Sequence, residues 1–206
     1  MNPKLLALIA LLPFPLSSAQ AWADGNIAII DQVGDEHRAI VTQGGSDALN
    51  EASIEQGGFG NSATVVQGGA PVKNSAKIIQ TGSDHEALIT QTGLNGINSA
   101  TILQGGSTNA ATIMQDGSGL TNTASIKQDG DNNVAGIDQD GDDHSAEIMQ
   151  DGDSNDGVIM QKGAGKKAVL NQFGDNNSYV IDQSGSVGGL MVEQHGSGGG
   201  VTITQY

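Results

Sequence analysis

The sequence has no cysteine, few aromatic residues and few positive charges. Without cysteine, no disulfide can hold an exported chain together. Aromatics make up 3% of the 206 residues, and leucine, isoleucine, valine and phenylalanine together number 46, which is too few for a conventional enzyme core. The net charge of −15 disfavours nucleic-acid binding, because an acidic chain repels phosphate. These absences leave a disordered chain or a repeat protein whose thin core is built by stacking.

The first 23 residues have the pattern of a secretory signal peptide. Lys4 precedes an unbroken apolar run, and Ala21 and Ala23 each end a small-x-small triplet that fits a cleavage site. The apolar run is far shorter than the ~20 residues of a membrane-spanning helix. We therefore predict that residues 1–23 are a leader that is removed and lies outside the fold. Residues 24–206 are then an exported repeat domain without a membrane span.

Glutamine recurs with a strict spacing after this leader. The gaps alternate between 11 and 13 residues up to Gln128 and are 11 residues thereafter. The series consists of Gln32, Gln43, Gln56, Gln67, Gln80, Gln91, Gln104, Gln115, Gln128, Gln139, Gln150, Gln161, Gln172, Gln183, Gln194 and Gln205. Sixteen half-repeats therefore fill the chain after the leader and leave no room for a second domain.

Each glutamine ends the same short pattern. Isoleucine, valine or leucine always lies two residues before it, alanine lies four before it in 12 of 16 cases, and asparagine lies six before it in ten. Glycine follows two residues after it in all 15 cases where the chain continues. A period of two over five or six residues is typical of a strand, and the glycine marks a turn. The core positions singled out besides the glutamines are Ile54, Ile78, Ile102, Ile126, Asn61, Asn74, Asn98 and Asn122.

The alanine, isoleucine and glutamine positions share one parity, and none of these 48 sites carries a charge, whereas 13 of the 48 interleaved sites do. Alternate residues of a strand point to opposite faces, so the uncharged set faces a narrow interior. The longer gaps occur at every second turn, which aligns them on one edge if each coil has two strands. We predict an all-β, two-strand-per-coil β-solenoid of about 8 coils.

The repeated amides predict ladders of hydrogen bonds, because identical side chains one coil apart can each donate to and accept from the next. The alternative is that glutamine is a solvated residue at the strand end. His37, His85 and His144 occupy the asparagine position and are predicted to substitute in the ladder, whereas His195 is predicted to lie in a turn. No residue is predicted to be catalytic, to bind a metal or to hold a cofactor.

Aspartates are concentrated in the turns of the middle coils, at Asp129, Asp131, Asp140, Asp142, Asp143, Asp151 and Asp153. One interpretation is a gatekeeper function, in which repulsion between stacked carboxylates slows premature assembly. A second is calcium binding between neighbouring turns. A third is that Asp-Gly simply makes good turns. The dependence of the assembly rate on monovalent salt and on Ca²⁺ separates these interpretations.

The segment Gln56–Gln67 reads QGGFGNSATVVQ and resembles the curlin repeat, Gln-x-Gly-x-x-Asn-x-Ala-x-x-x-Gln. The ending Thr204–Tyr206 resembles the end of the major curlin subunit, and the resemblance covers residues 26–206. It implies a structural protein, not an enzyme: a secreted subunit of curli, the amyloid fibres that bind Gram-negative cells into biofilms. The partners it implies are further copies of the chain, a nucleating subunit, an outer-membrane export channel, and cell or abiotic surfaces.

The major-subunit role is favoured because no basic, divergent C-terminal repeat is present. The alternatives are a minor, nucleating subunit or a monomeric binding solenoid, either an adhesin or an ice-binding protein. A flat Thr-x-Thr face for ice is interrupted by Lys77, Leu88 and Glu147. No capping segment is recognised at either end of the repeats, so the end coils are predicted to expose strand edges and to add further copies head-to-tail.

Overall fold

Every regular element that the computed structural model describes is a β-strand. No helix among these residues is long and apolar enough to cross a membrane. Lys4 and Asp24, which bear on the predicted leader and its boundary, lie outside the described residues. The described residues are 6–12, 17–23, 25–45, 48–69, 73–94, 96–117, 121–185 and 188–206.

Eighteen strands follow one another along the described chain. They are β1 (Leu6–Leu12), β2 (Ser17–Ala23), β3 (Asn26–Asp35), β4 (His37–Gln43), β5 (Glu51–Phe59), β6 (Ser62–Gln67), β7 (Lys73–Ser83), β8 (Glu86–Gly93), β9 (Ile97–Ser107), β10 (Ala110–Gly117), β11 (Thr121–Asp131), β12 (Val134–Asp142), β13 (Ser145–Asp151), β14 (Asp156–Ala164), β15 (Lys167–Phe173), β16 (Ser178–Gln183), β17 (Gly189–His195) and β18 (Gly200–Gln205).

The strands alternate between two sheets. Sheet I has the order β1-β4-β6-β8-β10-β12-β14-β16-β18, and sheet II has the order β2-β3-β5-β7-β9-β11-β13-β15-β17. From β3 onward, each strand pairs in parallel with the strand two places along the chain. One coil therefore contains one strand of each sheet, and each sheet has eight repeat strands. The predicted all-β solenoid with two strands per coil is confirmed.

The register places glutamine on glutamine at every coil. Gln128 lies beside Gln104 on one side and Gln150 on the other. The step along the chain is thus 24 residues in the first coils and 22 residues after Gln128, as the spacing predicts. The longer connections all lead from a sheet I strand to a sheet II strand, so they share one edge of the solenoid.

The interior between the sheets is narrow because alanine and isoleucine fill it. The alanines four residues before the glutamines, from Ala28 to Ala168, are at most 3% exposed, and the isoleucines two residues before them, from Ile30 to Ile181, are at most 1% exposed. The intervening strand positions are half-buried or exposed, which gives the alternating burial of β5 and β7. Burial thus follows the parity of the sequence pattern, and the charged set lies on the outer faces.

The glycine after each strand is required by the stacking of the turns. A Cβ on Gly34 would lie 1.9 Å from the carbonyl oxygen of Gly58 in the next coil, and one on Gly174 would lie 2.4 Å from that of Gly196. The φ angles at these two glycines are +123° and +102°, a conformation that L-residues rarely adopt. Gly196, in the last coil, has the same conformation but nothing within 4 Å of its added Cβ. Coil-on-coil contact therefore excludes a side chain at nearly all of these positions; inside the stack Gly163 is the exception, since its added Cβ would meet only Lys166 Cε, at 4.0 Å.

In the full-length chain the leader segments β1 and β2 are paired with the solenoid. The strand β2 pairs antiparallel with β3, and β1 pairs antiparallel with β4, so both strand edges of the N-terminal coil are covered. An uncapped N-terminal coil, with the leader outside the fold, stays a prediction for the chain from which the leader has been removed. Periodicity could not reveal this pairing, since the leader lacks the repeat and meets the solenoid through its backbone. Its role as a signal peptide stays a prediction.

Candidate functional site

The glutamines form two ladders of side-chain hydrogen bonds through the interior. Each amide Nε2 donates to Oε1 of the glutamine in the next coil, over distances of 2.7–3.0 Å. In sheet I the ladder is unbroken from Gln43 to Gln205, and in sheet II from Gln32 to Gln172. The glutamines from Gln32 to Gln183 are at most 3% exposed. This burial contradicts the alternative of solvated strand ends.

From Gln43 to Gln183, the second N–H of each glutamine amide crosses to the opposite sheet. Gln128 Nε2 donates to the carbonyl oxygen of Ala110 at 3.0 Å, and Gln139 Nε2 donates to that of Thr123 at 2.9 Å. A buried amide must satisfy two N–H groups and one oxygen, and this arrangement supplies partners for all of them. Glutamine therefore joins the coils along the stack and also joins the two sheets. The sequence analysis missed this second function.

The ladders have a direction. Throughout both of them the N–H groups point toward the C-terminal coils and the oxygens point toward the N-terminal coils. The first oxygens of the two series, Gln32 Oε1 and Gln43 Oε1, are buried and have no hydrogen-bond partner. The stack therefore has an acceptor end and a donor end, as a chain of aligned dipoles does.

The asparagine ladder connects strand ends to turns. Asn109 Oδ1 accepts the backbone N–H of Asn133 in the next coil at 2.8 Å. Its Nδ2 donates to the carbonyl oxygens of Gly105 and Gly130, both at 2.8 Å. Asn61 makes the same set of bonds two coils earlier. These amides satisfy the buried carbonyl groups of the tight turns and hold each turn over the next.

Histidine reproduces the asparagine bonds where it occupies this position. His85 Nδ1 accepts the backbone N–H of Asn109 at 3.2 Å, and its Nε2 lies 3.2 Å from the carbonyl oxygen of Thr81. His37 and His144 make equivalent contacts. Because Nδ1 must accept and Nε2 must donate, the geometry assigns the neutral tautomer with its proton on Nε2.

Burial lowers the pKa of His85 and of His144 below the usual value of 6.5. For His85, hydrogen bonds to backbone carbonyls and the charges of Asp84 and Asp131 act in the opposite direction. For His144, Lys166 lowers the pKa further, whereas Asp142 raises it. Protonation would also place an N–H on Nδ1 against the N–H of the next coil. Both effects favour the neutral ring in the folded chain.

Acidification is therefore expected to destabilise the solenoid as the pH falls from about 7 to about 5.5. In that range His85 and His144 bind protons more readily in the unfolded chain, because their pKa values are lower in the folded chain. The free energy of unfolding therefore decreases as the pH falls. Urea unfolding at the two pH values measures the loss. A variant with His85→Asn and His144→Asn repeats the residue of neighbouring coils and is expected to lose clearly less stability. An equal loss in both proteins would contradict the argument.

Lys166 is an interior residue that the sequence analysis missed. It is 1% exposed, its backbone N–H donates to His144 Nδ1 at 3.3 Å, and its Nζ donates to the carbonyl oxygen of Gly185. The signal was available, because Lys166 lies six residues before Gln172, at the asparagine position. The comparison of charged residues on the two faces covered the alanine, isoleucine and glutamine positions and those interleaved with them, and it did not include the asparagine position. A long side chain fits here because its ammonium group reaches a turn carbonyl.

Three turn aspartates stack on one another through the backbone. Asp131 N–H donates to Asp153 Oδ1 at 2.8 Å, Asp153 N–H donates to Asp175 Oδ1 at 2.9 Å, and the Ser107 hydroxyl donates to Asp131 Oδ1 at 2.7 Å. The sequence analysis missed Asp175 in this series. Backbone N–H groups hold the carboxylates of Asp153 and Asp175, and the Ser107 hydroxyl holds that of Asp131, so like charges are aligned one coil apart along the turn edge.

The other turn aspartates have different surroundings. Asp129 and Asp151 are register partners in sheet II, and the Asp140 carboxylate lies 3.6 Å from the exposed Lys162 ammonium group. Asp142 ends β12, and Asp143 has a φ of +58° in the tight turn that follows. Within the described ranges, no group of three or more histidine, aspartate or glutamate side chains is placed to hold a metal ion.

The sequence predicts His195 in a turn, but this residue is the last of β17, so that prediction is wrong. Its ring stacks on Phe173 of the preceding coil, with ring centroids 4.8 Å apart, and its Nε2 lies 2.7 Å from Glu193 Oε1. The expectation failed because the strand extends one residue past the glutamine. The contact joins the last coil of sheet II to the one before it.

These features define a class: a β-solenoid whose coils are joined by parallel strand pairing and by ladders of identical amides, as in cross-β stacking. The curlin associated repeat matches the sequence at residues 122–152 and 152–185. The chain therefore contains curlin repeats over residues 122–185, and the resemblance noted in the sequence is confirmed there. No curated protein matches it.

Proposed function

We propose that the chain is a secreted structural subunit of curli-type amyloid fibres, which polymerises head-to-tail at the bacterial cell surface for adhesion and biofilm matrix. The observation that carries the proposal is the pair of directional glutamine ladders. Every coil presents to the next the same amides, strands and turns, so a second copy can continue the stack without a new kind of contact. The curlin repeat supports the fibre class.

The C-terminal coil supplies one of the two surfaces that such polymerisation needs. Among the described residues, β17 and β18 each pair with one neighbouring strand, so their other edges present backbone N–H and C=O groups. Edge strands of this kind are templates for pairing with another chain. In a head-to-tail fibre, β17 of one copy pairs with β3 of the next, and β18 pairs with β4.

The aligned carboxylates of Asp131, Asp153 and Asp175 support a gatekeeper function in this proposal. Stacking of these three coils brings like charges into line, and their repulsion opposes the ordering of the chain at low ionic strength. Export through an outer-membrane channel, nucleation by a second curlin-like subunit, and attachment to cells or abiotic surfaces belong to the same proposal. They rest on what the resemblance implies for the family.

Fibre diffraction on incubated protein that begins at Asp24 tests the proposal. We expect a meridional reflection at about 4.7–4.8 Å, the spacing of strands along a cross-β fibre. The variant Ile126→Asp places a charge in the interior and is expected to give no fibres, whereas Lys127→Asp changes the adjacent exposed position and is expected to retain them. A chain that stays monomeric for days and binds no amyloid dye would refute the proposal.

A further inference from the structure

The N-terminal coil is covered by strands of a different kind from the rest of the stack. The leader strands β2 and β1 pair antiparallel with β3 and β4, with Ala19 beside Ile30 and Ile9 beside Ile40. All other pairings within the two sheets are parallel and place like residues together. The leader therefore occupies the strand edges of the first coil but does not continue its repeat.

Beneath this cover lie the two unpartnered ladder oxygens. Gln32 and Gln43 are 2% and 0% exposed, and neither Oε1 atom has a hydrogen-bond partner. In the next coil, Gln56 Oε1 and Gln67 Oε1 accept from these two glutamines at 2.7 and 2.8 Å. The pairing of the leader thus satisfies the strand edges and leaves the amide ladders without a donor. A buried acceptor without a partner is destabilising, so this coil is incomplete.

The group that completes the coil is an amide donor one coil away, in parallel register and on both sheets. In a second copy, Gln205 is such a donor, because its N–H groups lie at the C-terminal end of the sheet I ladder. Gln194 lies one coil beyond the last bond of the sheet II ladder and donates to the carbonyl oxygen of Gly196 in the single chain, so its amide has to reorient to reach Gln32. A head-to-head contact would instead oppose the oxygens of Gln32 and Gln43 to identical oxygens. The chemistry of this edge therefore selects the C-terminal coil of another copy.

We propose that the edge of β3 and β4 is an acceptor interface for a second copy of this chain, and that the leader strands β1 and β2 cover it. The proposal rests on the head-to-tail polymerisation proposed above. A strand edge can pair with one strand only, so the leader and the second copy exclude each other. The predicted cleavage positions, Ala21 and Ala23, lie in β2 beside Ala28 and Asn26. Cleavage at either one removes β1 and nearly all of β2.

The covered chain has one usable end. Its C-terminal coil can still add to the acceptor end of a growing fibre, but it then presents a covered edge to the next copy. Full-length protein is therefore expected to act as a chain stopper at one fibre end. Growth at the opposite end needs a free acceptor edge on the incoming copy, which the full-length chain lacks.

The test compares the full-length chain with the chain that begins at Asp24, which retains all sixteen repeat strands and both ladders. Seeded elongation is followed at single fibre ends by fluorescence microscopy. We expect full-length protein alone to elongate seeds at least about tenfold more slowly. Added at a substoichiometric amount to the shorter chain, it is expected to arrest one end of each fibre and leave the other growing.

The matched control keeps the leader but removes its pairing. The variant carries two pairs of consecutive prolines, Ile9→Pro with Ala10→Pro in β1 and Ala19→Pro with Gln20→Pro in β2. Alternate backbone N–H groups of a strand bond to its neighbour, so each pair of prolines removes one N–H that pairs with the solenoid. This variant is expected to elongate within about threefold of the shorter chain. Equal elongation by unmodified full-length protein, or a proline variant as slow as that protein, would overturn the covering function. Failure of the shorter chain to elongate would overturn head-to-tail polymerisation itself, and the acceptor interface with it.

Discussion

The substitution Gly196→Ala is expected to slow fibre elongation strongly while the isolated chain still folds. The added Cβ meets nothing within 4 Å in a single chain, whereas the equivalent atom on Gly174 would lie 2.4 Å from a carbonyl oxygen of the next coil. In a head-to-tail fibre the next coil above Gly196 belongs to another copy, at Gly34. A backbone clash of this kind costs about 1–3 kcal/mol, which corresponds to a roughly tenfold to hundredfold slower elongation.

Two further variants separate this clash from strain in the turn itself. Gly198→Ala lies in the same turn, also at a positive φ of +75° and with nothing near its added Cβ. In a fibre it would face only the flexible side chain of Glu36, so elongation is expected to stay within about threefold of the parent. Gly174→Ala clashes inside the chain and is expected to lower the stability of the monomer. Fibres of Gly196→Ala that elongate at the parental rate would show that the end coils do not stack in register.

The substitution Gln128→Leu is expected to lower the free energy of unfolding by about 2–4 kcal/mol, because it removes an amide that serves three partners. Gln128 Nε2 donates to Gln150 Oε1 at 2.9 Å and to the Ala110 carbonyl at 3.0 Å, and Gln128 Oε1 accepts from Gln104 at 2.9 Å. Leucine has a similar size and fills the space, but it leaves two buried acceptors without a donor. The loss therefore measures the hydrogen bonds more than the packing.

Urea unfolding of dilute, non-assembled protein, followed by circular dichroism, provides the measurement. The neighbouring exposed residue supplies the control, since Lys127→Leu introduces the same side chain on the outer face. Surface substitutions usually stay within about 0.5 kcal/mol. Equal stability of the Gln128→Leu and Lys127→Leu variants would mean that the ladder contributes nothing beyond filling the interior.

The glutamine spacing was enough to predict the coil, because burial, register and turn placement all follow one period. Two strands per coil followed from the longer gaps at alternate turns, and Gln104, Gln128 and Gln150 do lie beside one another. Parity also separated the interior from the outer faces. The prediction succeeds because each coil repeats the same sequence pattern and contacts only the coils next to it.

Contacts that depend on the distance between the sheets could not be predicted in this way. The bond from Gln128 to the Ala110 carbonyl requires knowledge of how closely the sheets approach, which no spacing contains. The burial of Lys166 depends on the reach of its ammonium group to Gly185, and the stacking of Asp131 on Asp153 depends on the shape of the turn. The pairing of β2 with β3 involves a segment outside the repeat altogether.

The change of coil step at Gln128 gives the proposed fibre a long period. The connections on one edge are two residues longer in the N-terminal half of the chain than in the C-terminal half. With eight repeat strands per sheet in each copy, this profile recurs about every 38 Å along the fibre at ~4.8 Å per strand. Each fibre is then marked along one side at the length of a single subunit, and a weak axial reflection at this spacing measures the length of one copy along the filament.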